Sequence, residues 1–138
     1  FLIRHPARVI SSYLAKRENP TLEDLGFTQQ TALFDEIATL RDAPPLVIDA
    51  TDIRADPDAA LRLLCESLGI PFEPAMLHWP AGPKPFDGAW APHWYNAVHR
   101  STGFAGPDAE LPELPAAAQP LLKAALPHYE RMAALRLV

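Results

Sequence analysis

The 138-residue chain has a single cysteine, Cys65. A disulfide framework or a cysteine-built metal site is therefore excluded within one chain. The thiol sits in the apolar run "ALRLLCESLGI" and is expected to be reduced and buried. Positive charge is also scarce: the formal net charge is −5 and the pI about 5.4. That excludes a general nucleic-acid binder, whose affinity comes from neutralising phosphates with Lys and Arg. A small anionic ligand stays open, because a few cations in one pocket coexist with an acidic surface. The five histidines, at positions 5, 78, 93, 99 and 128, show no HExxH pattern or other metal-ligand spacing. No apolar run reaches the length of a membrane span. The first residues lack the basic segment and long apolar core of a signal peptide. The reading is a soluble, cytoplasmic protein without a metal. Phe1 rather than Met opens the chain inside an apolar run, so a longer parent chain is expected.

What is present is ordinary for a globular domain: 49% hydrophobic and 21% charged residues, enough for one modest core. "FLI" is a short apolar run at the start. Pro6 has the fixed φ suited to a first helical position. Val9, Ile10, Tyr13 and Leu14 then recur at helical spacing, and Lys16 and Arg17 suit the helix end. The spacing predicts strand then helix, with Arg4 and His5 at the turn. "NPTLEDLGF" reads as a turn and a short helical piece closed by Gly26. "TQQTALFDEIATLRDA" reads as a helix with Leu33, Ile37 and Leu40 on its apolar face, stopped by Pro44 and Pro45. "PLVIDA" reads as a second short buried strand. In "DPDAALRLLCESLG", Asp56 is an N-cap, Pro57 takes the first helical position, Leu61, Leu64 and Leu68 form a stripe, and Gly69 closes the helix.

This order is α/β grammar and implies a parallel sheet flanked by helices. Two strands do not suffice for one, since parallel sheets are buried on both faces. A missing N-terminal segment would supply the other strands, and a homo-oligomer is the other partner to expect. The expected organisation is one incomplete domain: an α/β part over 1–70, an aromatic, Pro- and Gly-rich loop region over 71–106, and a helical tail over 107–138, broken near Pro120 and Pro127. The loop region holds all three Trp and reads as an ordered segment on aromatic anchors.

The chemistry concentrates in "RHPARVISSY". Arg4 stands where a strand meets a helix, and ligands of open α/β sheets bind outside the carboxyl ends of the strands. The helix offers free N–H groups and a positive dipole end. An arginine there is a two-pronged fork for phosphate. Ser12 lies two turns further on, four residues from Arg8, where its hydroxyl can donate to the same anion. Arg4 taken alone would favour an ion pair with Asp49 or Asp52, and Ser12 alone a boundary position. His93, His99 and Trp94 invite an acid–base reading, but the preferred reading is a helix carrying His93 and Arg100 on its outside.

In these residues the chain resembles the sulfotransferases that use 3′-phosphoadenosine 5′-phosphosulfate (PAPS). Their 3′-phosphate motif is a strand-end arginine, a serine eight residues later, then an aromatic; Arg4, Ser12 and Tyr13 fit it. A second segment agrees: Asp52 in an acidic turn, Asp56–Pro57 opening a helix, and Leu68–Gly69–Ile70–Pro71 closing it. In "PKPFDGAWAPHW", Lys84, Gly88 and Trp90 fall at the offsets of the family's last nucleotide loop, with Pro83, Pro85 and Ala89 replacing its arginine, first glycine and aspartate. The resemblance implies an incomplete P-loop-NTPase-like sulfotransferase fold with PAPS as co-substrate and no metal. It implies Arg4, Ser12 and Lys84 as nucleotide contacts, and a sulfuryl group moved to a hydroxyl or amine acceptor. The 5′-phosphosulfate loop should precede "FLIR", and no residue of the chain is assigned as catalytic. The rival readings are a non-catalytic sulfotransferase-like interaction module and a fragment of a P-loop nucleotide or sugar kinase.

Overall fold

The computed structural model describes residues 1–16 and 19–137. Along the chain run β1 (Leu2–Ile3), α1 (Pro6–Leu14), α2 (Leu22–Leu25), α3 (Phe27–Arg41), β2 (Ile48–Asp49), α4 (Ala50–Ala55) and α5 (Pro57–Leu68). A 3₁₀ turn at Pro74–Leu77, α6 (Ala91–Trp94), α7 (Asn96–Arg100), a second 3₁₀ turn at Ala116–Ala118 and α8 (Gln119–Ala133) follow. The chain divides into two compact units, one of Phe1–Asp52 with Ala109–Val138, the other of Ile53–Asp108.

In the first unit β1 and β2 pair in parallel, Leu2 opposite Ile48 and Ile3 opposite Asp49. This small sheet among many helices agrees with the α/β expectation. On the other side of β2, Val47 bridges in parallel to Arg136, and the Leu137 N–H donates to the Val47 carbonyl at 2.8 Å. The core is Ile3, Phe34, Val47 and Met132, with Phe1, Ala38, Tyr129 and Ala133 packed against it.

The turn after β1 follows the expected chemistry. Pro6 lies in the first turn of α1, and the cap is His5, whose Nδ1 accepts from the Ala7 N–H at 3.2 Å. Lys16 lies just past the helix end; Arg17 lies outside the described residues. α2 carries a reciprocal capping box, Thr21 with Asp24, and ends at Gly26 with φ +75°. Only a residue without Cβ takes that backbone at no steric cost.

Two expectations are corrected. The buried face of α3 is Phe27, Thr31 and Phe34, while Leu33 and Leu40 stay exposed, at 50% and 78%. α3 packs on α8, and that contact takes the aromatic face with Thr31 rather than the leucine face. Thr31 is admitted because its hydroxyl is satisfied: it donates to the Phe27 carbonyl at 2.7 Å and lies within hydrogen-bond distance of His128 Nδ1, at 3.0 Å. The tail, in turn, is not broken at its prolines. Pro120 sits in the first turn of α8, where no N–H is needed, and α8 runs on through Pro127. Pro127 forfeits one intrahelical bond, yet burial of Ala125 and Met132 on either side holds the helix in place.

In the second unit Asp56 caps α5, its carboxylate accepting from the Ala59 N–H at 3.0 Å, with Pro57 at the start and Gly69 left-handed at the end. Cys65 is buried and Leu68 exposed, so only part of the expected stripe faces inward. His93 and Arg100 are exposed on two short helices, α6 and α7, rather than on one.

Candidate functional site

β1 delivers Arg4 at its carboxyl end and α1 starts two residues later. Arg8, Ser11 and Ser12 fall at i, i+3 and i+4 on one face of α1, and Arg4 joins them from the turn before it. They line a cleft of about 320 Å³ whose other wall is Glu110 and Pro112. Arg4 is half-buried with its Nε shut off from solvent, and Ser12 is exposed at the mouth. Arg4 also borders a second cleft of about 520 Å³, lined mainly by apolar side chains such as Leu2, Val9 and Phe27.

The far wall is attached to α1. An Nη2 proton of Arg8 is donated to the Ala109 carbonyl, next to Glu110. His5 packs edge-on against Tyr129, ring centroids 5.2 Å apart. Burial, and then the positive charge of Arg8, hold the His5 imidazole below its ordinary pKa, against the opposing pull of Asp49 and Glu130. A neutral ring is what the cap requires, since Nδ1 must accept. The positive charge of this turn therefore comes from Arg4 and Arg8.

The strand-end carboxylates have partners of their own. Buried Asp49 accepts from the Tyr129 hydroxyl and from the Thr51 N–H, each at 2.7 Å. Asp52 accepts from Arg136 Nε at 3.1 Å. Burial and the Asp49 carboxylate push the Tyr129 phenol up to about 12.

Lys84 belongs to the second unit. Its ammonium donates to the Pro80 carbonyl at 2.5 Å, and its N–H to Asp87 Oδ2 at 2.8 Å. Asp87 also accepts from His99 Nε2 at 2.8 Å. The Lys84 N–H first, and then the His99 hydrogen bond, keep the Asp87 carboxyl below the ordinary carboxylate range. The Trp79 indole N–H donates to Ser101 Oγ at 2.9 Å, and its ring meets Phe104 edge-on, whereas Phe86 and Trp90 are exposed.

The structure thus brings Arg4 and Ser12 into one cleft. It adds Ser11, Glu110 and Pro112, which sequence reasoning did not single out as site residues. Ser11 was visible as the i+3 neighbour of Arg8. Glu110 carries no local signal, because about a hundred residues separate it from Arg8. Among the described residues, no group of His, Cys, Asp and Glu could hold a metal ion, and no helix is long and apolar enough to cross a membrane.

A family model described as a sulfotransferase domain matches residues 1–136. The chain belongs to the sulfotransferase-domain family. Two Arabidopsis thaliana proteins are similar to it. "Branched-chain-amino-acid aminotransferase-like protein 1" is 41% identical over 128 residues, covering 93% of this chain and 23% of its own length. "Branched-chain-amino-acid aminotransferase-like protein 2" is 39% identical over 128 residues, 93% of this chain and 22% of its own. The sulfotransferase-like chain therefore spans less than a quarter of the length of these relatives. No solved structure gives a significant match.

Proposed function

We propose that this chain is the 3′-phosphate-binding half of a PAPS-dependent sulfotransferase of P-loop-like fold, acting on a hydroxyl or amine acceptor in the cytoplasm. The observation that carries the reading is the convergence of Arg4, Arg8, Ser11 and Ser12 on one cleft at the carboxyl end of β1. Guanidinium groups and hydroxyls are the donors a phosphate needs, and the start of α1 adds its dipole. In this role Arg4 forks the phosphate, Ser12 donates one hydroxyl proton, and both hold the nucleotide still. Bound PAPS would supply the sulfuryl group itself. Transfer also needs in-line placement and cations on the developing charge; no residue of this chain is assigned to the base. Lys84 enters the proposal through the resemblance alone.

The test is titration calorimetry on the full-length protein with adenosine 3′,5′-bisphosphate and adenosine 5′-phosphate. Arg4→Ala should weaken the bisphosphate by about 2–3 kcal/mol, the scale of a lost charge-assisted bond. Ser12→Ala should cost roughly 1 kcal/mol, and Arg4→Lys should rescue only in part, because an ammonium is not a two-pronged donor. The 5′-phosphate should be indifferent to all three. Equal losses for both nucleotides would assign Arg4 to the fold and sink the reading.

A second reading rests on the short span against the relatives: a non-catalytic sulfotransferase-like module inside a longer protein. It expects the same nucleotide binding without sulfuryl transfer to any acceptor.

A further inference from the structure

The cleft contains one group that a phosphate site does not call for. Beside two guanidinium groups and two hydroxyls stands the carboxylate of Glu110. An ionised carboxylate only accepts hydrogen bonds and repels a neighbouring phosphate. Glu110 is exposed, but the backbone around it is tied down. Arg8, from the phosphate-facing stripe, donates to the carbonyl of the residue just before it. Pro112 limits the backbone two residues later, and Gln119 Nε2 donates to the Leu114 carbonyl at 3.1 Å, tying the same segment to the start of α8. The backbone beside Glu110 is held by Arg8, a residue that lines the same cleft.

We propose that Glu110 selects ribose at this cleft by accepting a hydrogen bond from the hydroxyl adjacent to the bound phosphate. The inference rests on the reading of the cleft as a nucleoside 3′-phosphate site. In such a ligand the 2′-hydroxyl is on the carbon next to the phosphate-bearing one, so one donor and one anion are presented side by side. The lining offers the mirror image: donors from Arg4, Arg8, Ser11 and Ser12, and one acceptor from Glu110. A ligand with phosphate and no neighbouring hydroxyl meets the repulsion without the compensating bond. A carboxylate accepting from a ribose hydroxyl is the same chemistry by which acidic residues read ribose in dinucleotide sites. Glu110 is thereby a specificity residue and takes no part in bond making.

The experiment measures binding of adenosine 3′,5′-bisphosphate and its 2′-deoxy counterpart to the full-length protein and to its Glu110→Ala, Glu110→Gln and Arg4→Ala variants. The wild type should prefer the ribonucleotide about tenfold, the scale of one hydrogen bond to a charged acceptor. Glu110→Ala should cut the preference below about twofold and bind the deoxynucleotide more tightly than wild type, since the repulsion is gone. Glu110→Gln should fall between, because an amide oxygen still accepts. A structural lesion would weaken both ligands together and cannot tighten one. If both nucleotides bind in an Arg4-dependent way and the wild type shows no preference, or Glu110→Ala keeps it, the ribose assignment is overturned and the phosphate site stands. If neither binds, or Arg4→Ala changes nothing, the phosphate reading falls and the ribose assignment with it.

Discussion

At the residue scale, the side chains around the turn divide by what they touch. His5 bonds the helix start, Asp49 bonds Tyr129, and Arg4, Arg8 and Ser12 face a cleft. Asp56 belongs with the first kind. Its carboxylate caps α5 and lines none of the clefts described. Asp56→Ala should lower stability by about 1 kcal/mol, the usual cost of a lost cap, and leave nucleotide affinity unchanged. Urea unfolding paired with calorimetry checks this; loss of binding at unchanged stability would move Asp56 to the site. Arg4, Ser12 and Asp56 were all legible in the sequence, because capping and strand-end chemistry act within a few residues. Glu110 and the Tyr129–Asp49 bond were not, since each joins segments that only folding brings together.

At the scale of elements, helix starts and stops follow local rules, whereas the choice of face does not. Thr21 with Asp24, Asp56 with Pro57, and Gly26 and Gly69 end their helices by side-chain bonds and left-handed backbone. α3 shows the other case. Its leucines share a face, but the buried residues are Phe27, Thr31 and Phe34. Phe34→Ala should therefore cost about 3–5 kcal/mol, as for a buried aromatic. Leu33→Ala and Leu40→Ala should each stay within about 0.5 kcal/mol, as surface changes do. Chemical denaturation of the three variants distinguishes the faces, and equal losses at Leu40 and Phe34 would contradict the packing. α8 makes the same point from the opposite side: Pro127 reads as a break, and packing of the flanking turns overrides it.

At the scale of the whole molecule, the titrating groups set a stability profile with three limbs. His5 is held below its ordinary pKa by burial and Arg8, so its folded form resists a proton that the unfolded chain accepts. Stability should begin to fall as pH drops below about 6.5. Asp35, held low first by its hydrogen bond from Arg131, and Asp87, held low first by the Lys84 N–H, favour the folded state above the ordinary carboxylate range. Their contribution should disappear as pH falls below about 4 and through their lowered values. Tyr129 acts at the alkaline end. The unfolded phenol ionises near 10 while the folded one holds its proton to about 12, so stability falls across that window. Melting temperature against pH should show all three limbs. Tyr129→Phe should flatten the alkaline one, and Asp87→Asn should flatten the most acidic one. An unchanged alkaline limb in Tyr129→Phe would contradict the burial of that phenol.

What the sequence determined by itself was whatever depends on neighbours along the chain. The α/β order, the strand-end arginine with its serine, the proline and aspartate at helix starts and the glycines at helix ends were all of this kind. So was the family, because its motif is a spacing. The tertiary structure alone decided which face of α3 is buried, that α8 survives Pro127, that Arg136 and Leu137 return to β2, and that Glu110 shares a cleft with Arg4 and Ser12. The reason is physical. A cap or a turn is settled by hydrogen bonds a few residues long, whereas burial and cleft walls depend on which distant surfaces pack together, and that is an outcome of the whole chain's packing.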